Sequence, residues 1–282
     1  MKITDAWIAR PETQAVCRAL TEAGYQAYFV GGCVRNALLG ASVGDIDIAT
    51  DALPDQVMKL ADAAGLKPVP TGIDHGTITV VSGHIPHEVT TFREDIETFG
   101  RHATVAFGGD IRADARRRDF TMNALYADAE GRVIDPLEGM TDLRARRVRF
   151  IEDADARIRE DYLRTLRFFR FCAWYSDPAE GFDADALSAI ASNTDGLETL
   201  SAERVGTEMQ KILRAPDPAP ALAAMRQTGV LGAILPGADA RWIAMLVHFE
   251  QLAGFPVTGV WGLAALGGDG VAVRLMRRQA DA

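Results

Sequence analysis

A Gly31-Gly32-Cys33-Val34-Arg35 turn, followed ten residues later by Asp45-Ile46-Asp47, constrains this chain more than any other feature. Ahead of the glycines, Tyr28-Phe29-Val30 is aromatic and β-branched and predicts a strand running into the turn. Paired glycines let a backbone approach a ligand closely, because no Cβ intervenes. Residues 34–39 read as a short helix closed by Gly40. A helix N-terminus presents unpaired N–H groups and the positive end of a dipole, which suits a polyphosphate, and Arg35 adds a permanent positive charge. Residues 45–50 alternate strictly, so the strand they predict points Asp45 and Asp47 one way and Ile46 and Ile48 into the core. Two oxygen donors on one face suit Mg2+, which takes carboxylates together with water and substrate phosphates. A glycine turn or a solvated edge strand explains either half alone. The two halves at this spacing favour phosphoryl-transfer chemistry, which needs charge neutralisation and positioning more than covalent help.

At 282 residues and 48% hydrophobic, the chain can bury the core of one large or two ordinary domains. No apolar run reaches the roughly 18 residues of a membrane span. Met1-Lys2-Ile3-Thr4-Asp5 lacks a signal-peptide profile, so a cytoplasmic location without a membrane partner is expected. The scattered Cys17, Cys33 and Cys172 fit a reduced compartment, offer no metal cluster and read as small hydrophobes. The net charge of −9 is uneven: residues 101–170 hold 15 Lys/Arg against 13 Asp/Glu, and the remainder 15 against 26. A basic middle in an acidic chain is the pattern of a focused polyanion site, although acidic surfaces also serve solubility alone.

Residues 1–150 alternate short strands and helices. Amphipathic helices are predicted over 11–23 and 55–64, and strands over 77–81 and 85–92 about a tight turn at Ser82-Gly83. From about Asp153 the periodicity turns helical, with breaks at Asp177-Pro178, Gly196, residues 216–220, Pro236-Gly237 and Phe255-Pro256. The expectation is an α+β fold, with a small mixed-sheet head in residues 1–150 and an all-helical part in residues 151–282. The stretch after Asp239 reads as packing alone.

Glu88 is the candidate third carboxylate. It is placed on one strand face with Pro86, Thr90 and Phe92, and it reads equally as an exposed edge residue. Residues 92–115, with Gly100-Arg101-His102 and Gly108-Gly109, are long enough to be a functional loop. They lead into Arg116-Arg117-Arg118-Asp119-Phe120-Thr121-Met122-Asn123-Ala124-Leu125, where one arginine near a triphosphate would make a charge-assisted contact. Arg118 and Asn123 lie five apart and need not share a face. Residues 131–143, turning at Asp135-Pro136 and returning through Gly139 and Asp142, read as a structural connector. Residues 160–170 read as one helix on which Asp161, Arg164, Arg167 and Arg170 step by three beside a Leu163, Leu166 and Phe169 stripe. That flank is either a surface run of arginines or, since an Asp and an Arg one turn apart offer acceptor and donors together, a reader of a base edge. Ser201 is placed to cap a later helix with an acidic first turn.

The ordered set Gly-Gly-x-Val-Arg (31–35), Asp-x-Asp (45–47), Glu-Val-Thr-Thr-Phe-Arg (88–93), Arg-Arg-Asp-Phe-Thr-x-Asn-Ala (117–124), Asp-Pro-x-x-Gly-x-x-Asp-Leu (135–143), Glu-Asp-x-x-Arg (160–164) and Glu-Arg-Val-x-x-Glu (203–208) resembles the class II tRNA nucleotidyltransferase and bacterial poly(A) polymerase family, most closely its CCA-adding members. The resemblance spans about residues 28–213, and residues 93–102 are similar to that family's flexible loop. It implies a nucleotidyltransferase head followed by a helical neck and body, with the tail domain short or missing. It further implies that Gly32 and Arg35 hold the triphosphate, that Asp45 and Asp47 hold Mg2+, and that Glu88 is the third carboxylate. Arg118 would contact nucleotide, Asp161 and Arg164 would read the base edge, and Arg167 and Arg170 would complete the pocket. The implied partners are the tRNA 3′ end, CTP and ATP, with no stable protein partner. Alternatives are a poly(A) polymerase, an enzyme restricted to C-C or A addition, and a non-catalytic RNA- or nucleotide-binding relative. No His-Asp pair of the phosphohydrolase type is found in the helical part, so that extra activity is not expected.

Two departures stand out. Asn36 replaces the family's usual Asp, which removes a charge beside Arg35 and with it part of the hold on that guanidinium. Family chains generally continue into a tail that grips the tRNA elbow, and this chain stops where a tail would begin. Weakened tRNA anchoring is therefore expected, measured as a tRNA affinity below that of a tailed relative. Equal affinity would refute it.

Overall fold

The computed structural model describes residues 1–99, 102–177, 179–254 and 259–268. The chain divides into two compact units, Met1–Arg144 and Ala145–Ala282. Gly100, Arg101, Pro178, Phe255 and Pro256, on which sequence expectations rested, lie outside the described residues.

The first unit contains strands β1 (Ala27–Val30), β2 (Ile46–Thr50), β3 (Lys67–Gly72), β4 (Thr77–Ser82), β5 (Ile85–Thr91), β6 (Arg93–Phe99), β7 (His102–Phe107), β8 (Tyr126–Ala127) and β9 (Val133–Ile134). Its helices are α1 (Ala6–Ala9), α2 (Pro11–Thr21), α3 (Gly32–Leu38), α4 (Pro54–Ala63), α5 (Ile111–Arg116) and α6 (Gly139–Arg144). Among the described residues, seven strands pair in the order β3-β4-β5-β2-β1-β8-β9, and β6 pairs with β7 alone. The sheet is mixed: β2 runs antiparallel to β1 and parallel to β5.

Alternation decides which side chains go where. Phe29, Ile48, Val89 and Ile78 stand in one row across the sheet and are fully buried. Val80 and Val89 on this face pack against Val16 and Leu20 of α2 and Val57 and Ala61 of α4. Burying each such side chain stabilises the unit by about 1.5–3 kcal/mol. A slip of one residue would drive Asp47 and Glu88 into that apolar layer, so the packing pins the register that places the carboxylates on the opposite face. His87 shares the apolar face, with its Nε2 3.1 Å from Thr13 Oγ1, and burial lowers its pKa.

The described residues of the 92–115 stretch hold the antiparallel pair β6 and β7 and then α5, whose first turn is capped by Asp110 accepting from the Arg112 and Ala113 N–H groups, where the sequence suggested a loop. Phe92 lies just beyond β5 and is fully buried, stacked at 6.3 Å on Tyr28, whose row with Ala49 and Thr90 is on the Asp47 and Glu88 side of the sheet.

The connector at residues 131–143 is a buttress. Asp135 accepts from the Gly139 and Met140 N–H groups, and Thr121 Oγ1 donates to buried Asp142 at 2.6 Å. A Cβ at Gly139 would stand 2.2 Å from the Thr121 carbonyl oxygen, so this backbone approach requires glycine.

In the second unit, α7 (Ala154–Glu160), α8 (Leu163–Tyr175), α9 (Ala184–Ser192), α10 (Ala202–Leu213), α11 (Ala219–Gln227), α12 (Val230–Ile234), α13 (Ile243–Ala253) and α14 (Val260–Leu266) follow one another. The single helix predicted over 160–170 is broken at Asp161, whose φ of −152° and ψ of 105° are extended. Leu166, Phe168, Phe169 and Phe171 of α8 are all buried, and Phe150 stacks on Phe168 at 5.6 Å. Leu163, expected in the apolar stripe, is only half-buried. Ser201 stands at the N-cap of α10 without a side-chain capping bond. No described helix is long and apolar enough to cross a membrane.

Gly139→Ala is expected to destabilise the protein by about 1–3 kcal/mol, the usual cost of overpacking, lowering its melting temperature by several degrees. An unchanged melting curve would show that the Thr121 segment is not held as described.

Candidate functional site

Gly31 turns the chain from β1 into α3 with φ of 70° and ψ of −122°, a conformation that L side chains rarely adopt. Its N–H donates to the Leu125 carbonyl at 3.2 Å, and its carbonyl accepts the first helical bond from Arg35. Gly31 carries the backbone requirement, whereas Gly32 opens the helix and a Cβ there would make only an ordinary contact with Arg35. Arg35 is buried, and amide oxygens hold its guanidinium. Nε and Nη2 donate to Asn36 Oδ1 at 3.2 and 2.9 Å, and Nη1 donates to Asn123 Oδ1 at 2.9 Å. Asn123 is oriented in turn by donating from Nδ2 to Asp119 Oδ1. The expected loosening at Asn36 is therefore not what the structure displays. Asn36 Nδ2 donates to the Ser42 carbonyl at 2.9 Å, which an aspartate could not do, and this aims its oxygen at Arg35.

The carboxylates come together by strand pairing. Asp47 of β2 lies directly opposite Glu88 of β5 in a parallel ladder, where neighbouring strands stand about 4.8 Å apart. Asp45 is exposed and precedes β2, yet its charge is felt at Asp47. Burial, then Glu88 and Asp45, push the Asp47 carboxyl up to about 6, while Arg118 and Arg35 pull the other way. Asp45, Asp47, Glu88, Arg35 and Arg118 thus form one electrostatic cluster inside the first unit. Among the described residues, no three His, Cys, Asp or Glu side chains close into a metal cage. An open pair of acids fits a cation that keeps water and phosphate ligands, and a cation there would relieve the repulsion that raises Asp47.

Arg118 and Asn123 converge after all: a Cβ at Gly31 would lie 3.4 Å from Arg118 Nη1 and 3.7 Å from Asn123 Oδ1. The opposite edge of Arg118 is anchored. Nη2 donates to Asp114 Oδ2 at 2.9 Å and Nε to the Tyr126 hydroxyl at 3.1 Å, while that hydroxyl donates to the same Asp114 oxygen at 2.7 Å. Arg117 Nε donates to Asp114 Oδ1. Two guanidiniums and the tyrosine overcome the burial of Asp114 and hold its carboxyl down at about 2. The sequence reading missed Asp114 and Tyr126. The four-residue spacing of Asp114 and Arg118 was the available signal.

In the second unit, the charged side chains of the α7–α8 junction are all engaged. Asp161 accepts from the Leu163 N–H at 3.1 Å and from Arg204 Nη2 at 2.8 Å. Arg164 pairs with Glu160 and donates to the Arg157 carbonyl. Arg170 Nε donates to buried Glu208 Oε2 at 2.6 Å, and Arg167 and Arg170 lie over the Phe171 ring. The Glu203-to-Glu208 block of α10 thus supplies partners to the Glu160-to-Arg170 block.

Asp47 makes a stability test. With its pKa raised from 3.8 to about 6, the folded protein binds more protons than the unfolded chain between those values. Its contribution to stability therefore falls as pH rises through that window, costing roughly 3 kcal/mol above it. Asp47→Asn is expected to raise the melting temperature of metal-free protein by several degrees at about pH 7.5 and to give no gain near pH 4. A gain that does not depend on pH would remove the repulsion argument.

Residues 27–149 match the poly A polymerase head domain, and residues 182–241 match a domain described as the probable RNA and SrmB-binding site of polymerase A. The chain is 43% identical over 224 residues to the CCA-adding enzyme of Geobacillus thermodenitrificans, covering 79% of this chain and 54% of that one. Its fold is similar to that of the Bacillus stearothermophilus CCA-adding enzyme in complex with CTP, with a TM-score of 0.74 at 36% identity over 84% of this chain and 58% of that one. It is also similar to a tRNA nucleotidyltransferase complexed with a primer tRNA and an incoming ATP analog, with a TM-score of 0.66 at 26% identity over 83% of this chain and 65% of that one. The chain spans about half the length of the curated relatives it matches. With a head of this kind and these relatives, the chain belongs to the tRNA nucleotidyltransferase and poly(A) polymerase family.

Proposed function

We propose that this chain adds C, C and A to the tRNA 3′ end, using CTP and ATP and releasing pyrophosphate. The observation that carries the reading is the Asp47–Glu88 pair, with Asp45 beside it, facing the Arg35 and Arg118 charges around the Gly31 turn. Gly32 and Arg35 would receive the triphosphate at the start of α3. Asp45 and Asp47 would hold Mg2+, with Glu88 as the third carboxylate. When bound, the cation supplies charge neutralisation and Lewis acidity for an in-line displacement at the α-phosphate. Arg118 adds positive charge where negative charge accumulates on the phosphates. Asp47 must be ionised to serve, which the two guanidiniums favour.

Asp161 and Arg164 would read the base edge, and Arg167 and Arg170 would complete the nucleotide pocket. Each carboxylate oxygen of Asp161 has capacity for a second donor beyond Leu163 and Arg204. Pairing with Glu160 fixes the Arg164 plane and so the direction in which its other donors point. The assignment divides the labour between residues 1–150, which carry transfer, and residues 151–282, which carry recognition of base and tRNA. The proposed location is the cytoplasm.

Incubating tRNA that lacks its 3′ end with CTP alone, ATP alone and both separates the readings. Two C residues from CTP and a terminal A only when ATP is added are expected. A long A ladder from ATP alone would identify a poly(A) polymerase instead. Asp45→Ala and Asp47→Ala should each lower turnover by at least about 1,000-fold while the protein stays folded. No Mg2+-dependent transfer by the parent protein under any condition would favour a non-catalytic binding role.

A further inference from the structure

We propose that Asp114 and Tyr126 are positioning residues that aim the Arg118 guanidinium at the phosphates of the incoming nucleotide, an inference that rests on the nucleotidyl-transfer reading above. A free arginine side chain samples many rotamers, and a charge fixed in advance stabilises a transition state without reorganising at the moment of reaction. Arg118 is fixed in this way. Its Nε–Nη2 edge is gripped by the Asp114 carboxylate and the Tyr126 hydroxyl, and its Nη1 is turned toward the Gly31 backbone.

The grip is tied to the turn it serves. Tyr126 sits in β8 opposite Val30, the residue immediately before Gly31, and the Gly31 N–H bonds to the Leu125 carbonyl. One backbone ladder therefore sets both the position of the turn and the position of the arginine's anchor.

Stability alone gives a poor account of the cluster. Asp114 is 1% exposed, and Tyr126 is fully buried. Buried ionic groups of this kind are commonly no better for stability than well-packed apolar residues of the same volume. What an apolar pair could not do is hold a guanidinium at a set angle beside Asp47, where its charge is felt.

The test is a pair of double-mutant cycles on the full chain, with Mg·CTP binding measured by calorimetry and kcat and KM measured on tRNA. Tyr126→Phe keeps the ring and removes only the hydroxyl, and about 3-fold weaker CTP binding is expected. Asp114→Asn should weaken it about 10-fold. Combined with Arg118→Gln, neither should weaken binding beyond Arg118→Gln alone, because both act through that side chain. Should Asp114→Asn fail to fold, the Tyr126→Phe cycle carries the same decision. Parental CTP affinity and KM in folded Tyr126→Phe protein would overturn the proposal, as would losses that multiply in the double variants. A parent protein that binds no nucleotide sinks the functional reading itself, whereas binding without coupling sinks only this inference.

Discussion

Two acids on neighbouring strands repel, and the face-to-face placement of Asp47 and Glu88 is the constraint around which the first unit is built. Neither the acids nor their neighbours hold that register. The other face of the same strands does, because Ile48, Val89 and Ile78 are buried against helices and cannot exchange sides with charged groups. Apolar packing thus supports an electrostatic arrangement that is unfavourable in itself, leaving Asp47 half-ionised near pH 6. Trading stability for a poised charge in this way is common where a site must bind a counter-ion.

The positive side of the site is held by two different devices. Amide oxygens of Asn36 and Asn123 direct Arg35, and those amides are oriented by Ser42 and Asp119. Arg118 is gripped by a buried carboxylate and a phenol. The Thr121–Asp142 bond and the close approach of Gly139 brace the segment that carries Asn123. The block of residues 117–124 therefore serves both arginines, directly through Arg118 and indirectly through Asn123.

Within the second unit, Asp161 and Arg170 face partners on α10, and Arg164 pairs with Glu160 of α7, rather than forming an unpaired surface run. Fixed pairs narrow the directions from which Asp161 and Arg164 can meet a ligand. Such pairing is the second unit's counterpart to the anchoring of Arg35 and Arg118 in the first.

Local features were legible in the sequence because they follow from short-range rules. The strand, glycine turn and helix at residues 27–38, the strand-face alternation at Asp47, and the change to helical periodicity after residue 150 all depend on neighbours a few positions apart. The sequence also suggested Glu88 without deciding it, since a strand pattern says which residues share a face but not which strand lies next to it. Helix continuity across Asp161 and a loop in place of the β6–β7 strand pair were misread, each where pairing or packing overrode a local pattern. Only the tertiary structure decided that Asp47 meets Glu88, 41 positions away, that Asn123 reaches Arg35, 88 positions away, and that Tyr126 lies under Arg118. Strand order and backbone crossings set those meetings, and both arise from which apolar faces can be buried together rather than from any residue's own preference.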